Sequence, residues 1–422
     1  DRLRSRGLGD VYKRQMNNMK VLHNGSGLDK LIKNSPLSAK APFIRKHSAL
    51  AVAACLIFPL NDAIANVEGY NFPFSEAYLV FVDNEQDVTS NSNDPNYVSS
   101  RENRPLFFWA KNGSYTLETG AVAVYSPSYF QAGGETTFTP LPTNTVQQGQ
   151  PASLNLPPIA LGQSYADERE PNLFINVIGS RDGDVSFNAK AINAYSGQTD
   201  YISFYVDGGN LNNNNQTQLN VASSFNIIDS NVQASLVVKN SASFSVGAGT
   251  TSNSTAQLNF SKENDRFLIE NARDVSFAGN LNFTNKVKNL AVTGEISDQA
   301  LIRNSNFSVG KTFLFGGSVY GDVKGTDNAF LQIINDEGIN AEFNVGSLII
   351  QAPDTGNKTS FLVGHGANVK TSSPVIVQAQ KEGATAQLLL GDTSSNEAFY
   401  NLNTPEVCLL YTSDAADDRI SV

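Results

Sequence analysis

From Leu173 onward the chain repeats itself about every thirty residues, and this period constrains the fold more than any other feature. The repeats include LFINVIGSRDGDVSF from Leu173, SFYVDGGNL from Ser203, SLVVKNSASFSV from Ser235 and RFLIENARDVSF from Arg266. Later ones are QALIRNSNFSV from Gln299, AFLQIINDEGINAEF from Ala329, SFLVGHGANV from Ser360 and AQLLLGD from Ala386. Each opens on a short apolar run, turns through Gly, Asn or Asp, and usually continues in a second alternating run. Anchored on Leu173, Phe204, Leu236, Leu268, Leu301, Leu331, Leu362 and Leu388, the steps are 31, 32, 32, 33, 30, 31 and 26 residues. A recurrent period in this range marks a stacked array.

Alternation decides which array. Ala242, Phe244 and Val246 are apolar at every second position, as are Leu281 and Phe283, and Val375, Val377 and Ala379. A period of two belongs to half-buried strands. The clusters between them, such as GAGTTSNST at Gly247–Thr255, read as turns. One period holds about three strands of ~5 residues with three turns of ~5. The expected fold is all-β, a right-handed parallel β-helix of ~31-residue triangular coils stacked into one core. Helical and leucine-rich repeats fit poorly because strands dominate, and a propeller needs about 40 residues per blade. At ~4.8 Å per coil, eight anchors span roughly 38 Å. The seven anchors from Leu173 to Leu362 are expected to point inward in one column, where an Asp would bury an unpaired charge.

The preceding residues show no such period. Asn66 to Tyr165 are richer in aromatics, among them Phe107, Phe108 and Trp109, the only tryptophan. Pro-rich TPLPTNTVQQGQPASLNLPP (Thr139–Pro158) then separates them from the repeats. Residues 66–165 are accordingly expected to form an N-terminal β-rich cap with a Pro-rich loop, shielding the first coil of a repeat array over 166–407.

The two ends read differently. DVYKRQ (Asp10–Gln15) and CLLYTS (Cys408–Ser413) can be encoded by opposite strands of one DNA word. That word resembles the transposase end sequence used in preparing sequencing libraries. Residues 1–15 and 408–422 are therefore read as adapter-derived translation, and the reading frame as a fragment opening at Met16. Past Val407 this reading expects more coils. Residues 16–65 resemble a long secretory signal: Lys20, Lys30, Lys33, Lys40, Arg45 and Lys46, the apolar run Ala49–Leu60, and the small pair Ala63 and Ala65, with cleavage before Asn66. The run is shorter than the ~20 residues a spanning helix needs. A lipoprotein signal at VAAC (Val52–Cys55) is the competing reading, although it leaves apolar residues at the mature start.

Cys55 and Cys408 are the only cysteines, so residues 66–407 contain none. Disulfides are common in exported domains. Their absence suits a chain that crosses a second membrane unfolded, or is simply drift in composition. The same residues hold 18 basic and 33 acidic side chains, a net charge of −15. That excess argues against nucleic acid or an anionic membrane surface as partner.

Sites for chemistry are sparse. His365, in VGHGAN, is the one histidine of residues 66–407, and a Ser–His–Asp hydrolase would have to use it as base. No G-x-S-x-G surrounds any serine, and a histidine in a glycine turn is ordinarily just solvated. One histidine without cysteine leaves no usual zinc set, so no metal or cofactor is expected. RDGD (Arg181–Asp184) lacks the spaced acids and terminal Glu of a calcium loop and reads as a turn. Asp182 with Asp184 and Glu263 with Asp265 are the carboxylate pairs a glycosidase would need, yet both pairs sit in turns and form no catalytic constellation. The sequon Asn282-Phe283-Thr284 would be incidental on a bacterial reading. No enzyme is expected, and binding falls to the solvent-facing strand sides and to the loop Asn210–Gln218.

With NLNFTNKVKNLAVTGEIS (Asn280–Ser297) as its fullest example, the stretch from Asn172 to Val407 resembles the passenger domains of Gram-negative autotransporters. The likeness lies in the long signal, the cysteine-free acidic chain and the Asn/Gly/Ser-rich β-coils, with no invariant motif. It implies export, passage through a C-terminal β-barrel, and display or release at the cell surface or outer membrane. It further implies adhesion or aggregation through contact with a cell-surface protein or glycan. Two alternatives stay open: a two-partner-secretion exoprotein and a β-helical polysaccharide-active enzyme.

Overall fold

The computed structural model describes residues 78–411 apart from 84, 91–97, 100–105, 119, 125–127, 135–150, 162–171, 196–200, 210–213, 229–232, 248–253, 263, 288–299, 317–327 and 392–399, together with the short strands 58–59, 66–67 and 70–71. The described residues are strand and turn without helix, and they wind as a parallel β-solenoid.

Each coil has three strands. The coil opened by Leu173–Ile178 continues through Val185–Ala189 and Ile192–Tyr195, and the next begins at Tyr201–Asp207. Every strand pairs with its counterpart one coil on: Leu173 with Ile202, Val185 with Thr217, Ile192 with Phe225. The opening strands form a twelve-stranded sheet, here face one, parallel throughout except where Phe58–Pro59 pairs antiparallel with Tyr78–Leu79. The second and third strands of each coil, faces two and three, belong to one sheet of twenty strands that turns a corner. In Phe307–Phe315 and Glu342–Ala352 a single strand runs through that corner, with a register shift between Val309 and Thr312.

The core follows from alternation carried round the coil. On face one, Phe130, Ile175, Phe204, Leu236 and Phe267 are successive register partners. Leu154, Phe187, Leu219 and Phe244 are their equivalents on face two, and Ile159, Ile192, Phe225 and Ala256 on face three. All belong to one buried cluster. Phe225 meets Phe204 and Phe244 edge-on, each at 5.0 Å between ring centroids, so the faces interlock through aromatic rings. Burying each such side chain contributes about 1.5–3 kcal/mol. No coil closes this core alone; its neighbours complete it.

The expected single column of anchors divides into two. Leu173, Phe204, Leu236 and Leu331 do lie in the core. Leu268 instead pairs with Val237 and with Leu301, and these belong to a separate apolar cluster on the outward side of face one. Leu362, opposite Gln332, shares that side and is half-buried. The inward residues of those coils are Phe267, Ala300 and Phe361. A one-residue offset moves a side chain to the opposite face. Face-one strands are buried on both sides, as Leu173–Ile178 is at all six positions, so alternation does not mark their inward set.

Nor does the stack begin at residue 166. Leu106–Ala110 and Ser128–Gly133 pair in parallel with each other, and the latter with Leu173–Ile178. Ala152–Leu156 joins Gly113–Leu117 to Val185–Ala189 on face two. The described strands between residues 78 and 161 are thus further coils and not a separate cap. Their inward residues Val80, Phe108, Phe130 and Ile175 are spaced by 28, 22 and 45 residues, which hides the period. Of the Pro-rich stretch Thr139–Pro158, residues 151–158 are described, and they contain the face-two strand Ala152–Leu156.

Candidate functional site

In a solenoid the inward residues make the core, so recognition or chemistry falls to outward strand positions and corners. The corner after face one is built on asparagine. Asn240, Asn271 and Asn304 follow the strand ends and hold φ of 57°, 50° and 51°. Asparagine tolerates this left-handed region better than other residues with a Cβ. The side chains also bond along the stack: Asn304 Nδ2 donates to Asn271 Oδ1 at 3.0 Å, and Asn240 Nδ2 to Asp207 Oδ1 at 2.8 Å. The recurrent Asn in KN, EN and RN, at Asn240, Asn271 and Asn304, was the signal that could have fixed the register from sequence.

Charges alternate along the same corner. Asp207, Lys239, Glu270 and Arg303 are successive register partners, and Asp336 lies beyond them. Lys239 Nζ is 3.3 Å from Asp207, and Arg303 is 3.8 Å from Glu270 while gripping both oxygens of Asp336. Hydrogen bonds from Arg303 and then Asn304 hold the Asp336 carboxyl below the usual carboxylate range. Tyr205 donates to Asp207 at 2.8 Å and lies under the Lys239 ammonium. Its phenol is pushed well above its ordinary range by burial, and then by the neighbouring Asp207.

The outward side of face one is buried. Tyr205, Val237, Leu268 and Leu301 form their own apolar cluster. Toward the N-terminus Phe107, Tyr129 and Phe174 stack at 5.0 and 4.8 Å. Burial pushes the Tyr129 phenol up to about 12.

Face two differs: inward positions are buried and outward ones half-exposed, as in Val185–Ala189 and Thr217–Val221. Its outward side carries a hydrogen-bonded polar ladder. Asn155 Nδ2 donates to Thr116 Oγ1 at 3.0 Å, Asn188 Nδ2 to Asn155 Oδ1 at 2.8 Å, and Asn220 Nδ2 to Asn188 Oδ1 at 2.9 Å. Ser245 Oγ then donates to Asn220 Oδ1 at 2.7 Å. The alternating pattern of these strands was legible, whereas the stacking of like residues needed the register.

The residues picked out in the sequence fall as follows. Ala63 and Ala65 lie outside the described residues, while Asn66 begins the strand Asn66–Val67, paired with Tyr70–Asn71. His365 sits in the turn after Lys358–Val363, and its carbonyl accepts the Asn335 N–H. Asp184 accepts the Gln216 N–H at 2.7 Å, and the Asp182 N–H donates to Ser180 Oγ. Both acids thus border a turn that ties two coils. Asp265, 4% exposed, accepts the Ala234 and Lys262 N–H groups, while Glu263 lies outside the described residues. The Asp184 and Asp265 carboxylates are therefore engaged with backbone N–H groups, whereas Asp182 is exposed and bonded through its main-chain N–H. Asn282 and Thr284 lie in Asn280–Asn285, with Thr284 buried. Of the loop Asn210–Gln218, residues 214–218 are described: Asn215 Nδ2 donates to the Arg181 carbonyl at 2.8 Å. Cys408 pairs with Ile376 at the last rung. Among the described residues no three His, Cys, Asp or Glu side chains gather as a metal set, and no helix is long and apolar enough to cross a membrane.

No protein-family model matches the chain. No curated protein and no solved structure matches it either.

Proposed function

We propose that the chain is an exported, elongated binding protein, of the kind displayed as an autotransporter passenger, acting in adhesion or aggregation without turning over a substrate. The observation that carries this reading is the outward side of face two, where a continuous polar ladder runs coil after coil from Thr116 to Ser245. Many weak polar contacts repeated along a rod gain strength by multivalency. The acidic chain disfavours nucleic acid and anionic lipid. The sequence features at residues 16–65 support export, with Asn66 as the mature start.

The test is to express the chain and measure two things side by side: saturable binding to cells, and turnover of peptide, ester and polysaccharide substrates. Binding without turnover supports the proposal. Turnover that disappears in His365→Ala or Asp182→Ala overturns it. The mature N-terminus of chain recovered after secretion tests cleavage before Asn66.

A further inference from the structure

We infer that the outward side of face two, from Thr116 to Ser308, is a docking strip for an extended, uncharged, polyhydroxylated polymer: a neutral glycan chain lying along the rod. This rests on the binding reading above and names its partner class. The first ground is charge. In a chain whose residues 66–407 carry a net −15, the outward strand positions of face two between Ser114 and Ser308 include one charged side chain, Asp274. Charges concentrate instead at the corner of Asp207, Lys239, Glu270 and Arg303. An anionic polymer finds no cation on this strip, and a cationic one finds a single acid.

The second ground is hydrogen-bonding capacity. An asparagine side chain offers two donors and two acceptor sites. Within the ladder, Asn155 accepts from Asn188 and Ser153 and donates once, to Thr116, so one of its N–H groups still faces outward. Asn188 accepts once, from Asn220, and keeps an acceptor site. Asn220 donates once and accepts once, keeping one of each. The strip therefore presents donors and acceptors mixed along its length, which is what recognises hydroxyl groups, each of which both donates and accepts. The ladder bonds have already fixed the rotamers, so binding spends little further side-chain entropy.

The third ground is spacing. Rungs recur at about 4.7–4.9 Å, which makes the strip a regular array along the rod. A chain running along the axis thus meets equivalent groups at every coil. Each rung offers hydrogen bonds without an aromatic platform, since the rings of face two, Tyr115, Phe187, Phe244, Phe277 and Phe307, are buried in the core. Affinity accordingly builds with polymer length and is small for one sugar.

The experiment titrates the full chain with β-1,4-glucan oligomers of increasing length and sediments it with insoluble β-1,4-glucan, at low and high NaCl. Expected are affinity that climbs with each added sugar, indifference to salt, and binding at least tenfold weaker in Asn188→Asp/Asn220→Asp. Because that pair could disturb the stack, Ser276→Lys serves as a second variant that leaves the ladder bonds intact and is expected to weaken binding similarly. Arg303→Ala, at the charged corner, is expected to bind as the parent does. Absence of glucan binding, binding without length dependence, binding abolished by salt, or full binding by Ser276→Lys overturns the inference. Depression of freezing without glucan binding overturns it too, in favour of an ice lattice. Cell binding that persists unchanged in the ladder variants while glucan is ignored refutes the glycan and leaves the broader proposal standing. Loss of cell binding by the parent chain removes that proposal itself.

Discussion

Phe244→Ala tests the coil geometry at its most connected point. Phe244 is fully buried, stands between Leu219 and Val275 in the face-two column, and touches Phe225 at 5.0 Å and Phe277 at 5.6 Å, both edge-on. Truncating a core Phe costs about 3–5 kcal/mol, a figure that includes ring contacts of about 0.5–1.5 kcal/mol each. At an m-value of about 1–3 kcal/mol/M in urea, the lower cost alone moves a midpoint by about 1 M or more. The site of the damage matters as much as its size. In a solenoid each coil contacts only its neighbours, and Phe244 belongs to the coil opened by Gln233–Lys239. Trp109, the only tryptophan, is buried in the coil opened by Leu106–Ala110, with three coils between. Circular dichroism follows all the strands, whereas tryptophan fluorescence follows that distant coil. Urea titration of Phe244→Ala should therefore lower the dichroism midpoint strongly and the fluorescence midpoint less. Ser245→Ala, one residue on and facing outward, should cost about 1 kcal/mol or less through its single bond to Asn220. Since a one-residue slip exchanges these two positions, equal losses in the two variants would refute the register.

Three other outcomes follow from the corners. Asn271→Ala, at φ 50°, should destabilise by about 1–2 kcal/mol and Asn271→Gly by less, read as denaturation midpoints. Gly279→Ala should cost about 1–3 kcal/mol or more, because its Cβ would lie 1.8 Å from the Ser254 carbonyl oxygen; a neutral result would show that this corner is looser than drawn. The Asp336 carboxyl titrates below its ordinary range when folded, so the stability it supplies is present above that range and lost as pH falls through the depressed value. Arg303→Ala should flatten the acid limb of stability below about pH 4. With side chains 31% and 46% exposed, the pair is worth at most about 1 kcal/mol, and an unchanged acid limb would show that it contributes nothing.

How much of this was legible depended on which strand was being read. Period and strand character were plain because Phe204, Leu236 and Leu331 recur at similar spacing in the core. The phase was not, because Phe267 and Leu268 are both apolar and both buried, one in the main core and one in the outward cluster. Alternation carries no phase where both sides are covered. The Asn240, Asn271 and Asn304 turns would have supplied it, since each closes face one at the same point. The earlier coils escaped notice for a different reason. Loop insertion costs little free energy, growing only with the logarithm of loop length. Residues 134–151 could therefore lengthen one coil without breaking the pairing of Ser128–Gly133 with Leu173–Ile178.

The same contrast favours face two for the proposed binding. Leu106–Ala110 and Leu173–Ile178 are buried at every position, so these face-one strands have no outward side chains to offer water or a partner. Ala152–Leu156, Val185–Ala189 and Thr217–Val221 alternate strictly between buried and half-exposed, which leaves one polar side uncovered along successive coils. An uncovered parallel sheet side risks sticking to other sheets if it is apolar. Here it carries Ser153, Asn155, Ser186, Asn188, Gln218 and Asn220, and the bonds that link Thr116 through Ser245 hold those side chains against the sheet. Bonding along the ladder thus serves two ends at once: it satisfies amides that stacking half-buries, and it orients their remaining donors and acceptors outward in a fixed array. A surface ordered in that way meets a regular polymer at lower entropic cost than a set of mobile loops would. For that reason recognition is placed on the strands of face two, ahead of the loop at Asn210–Gln218.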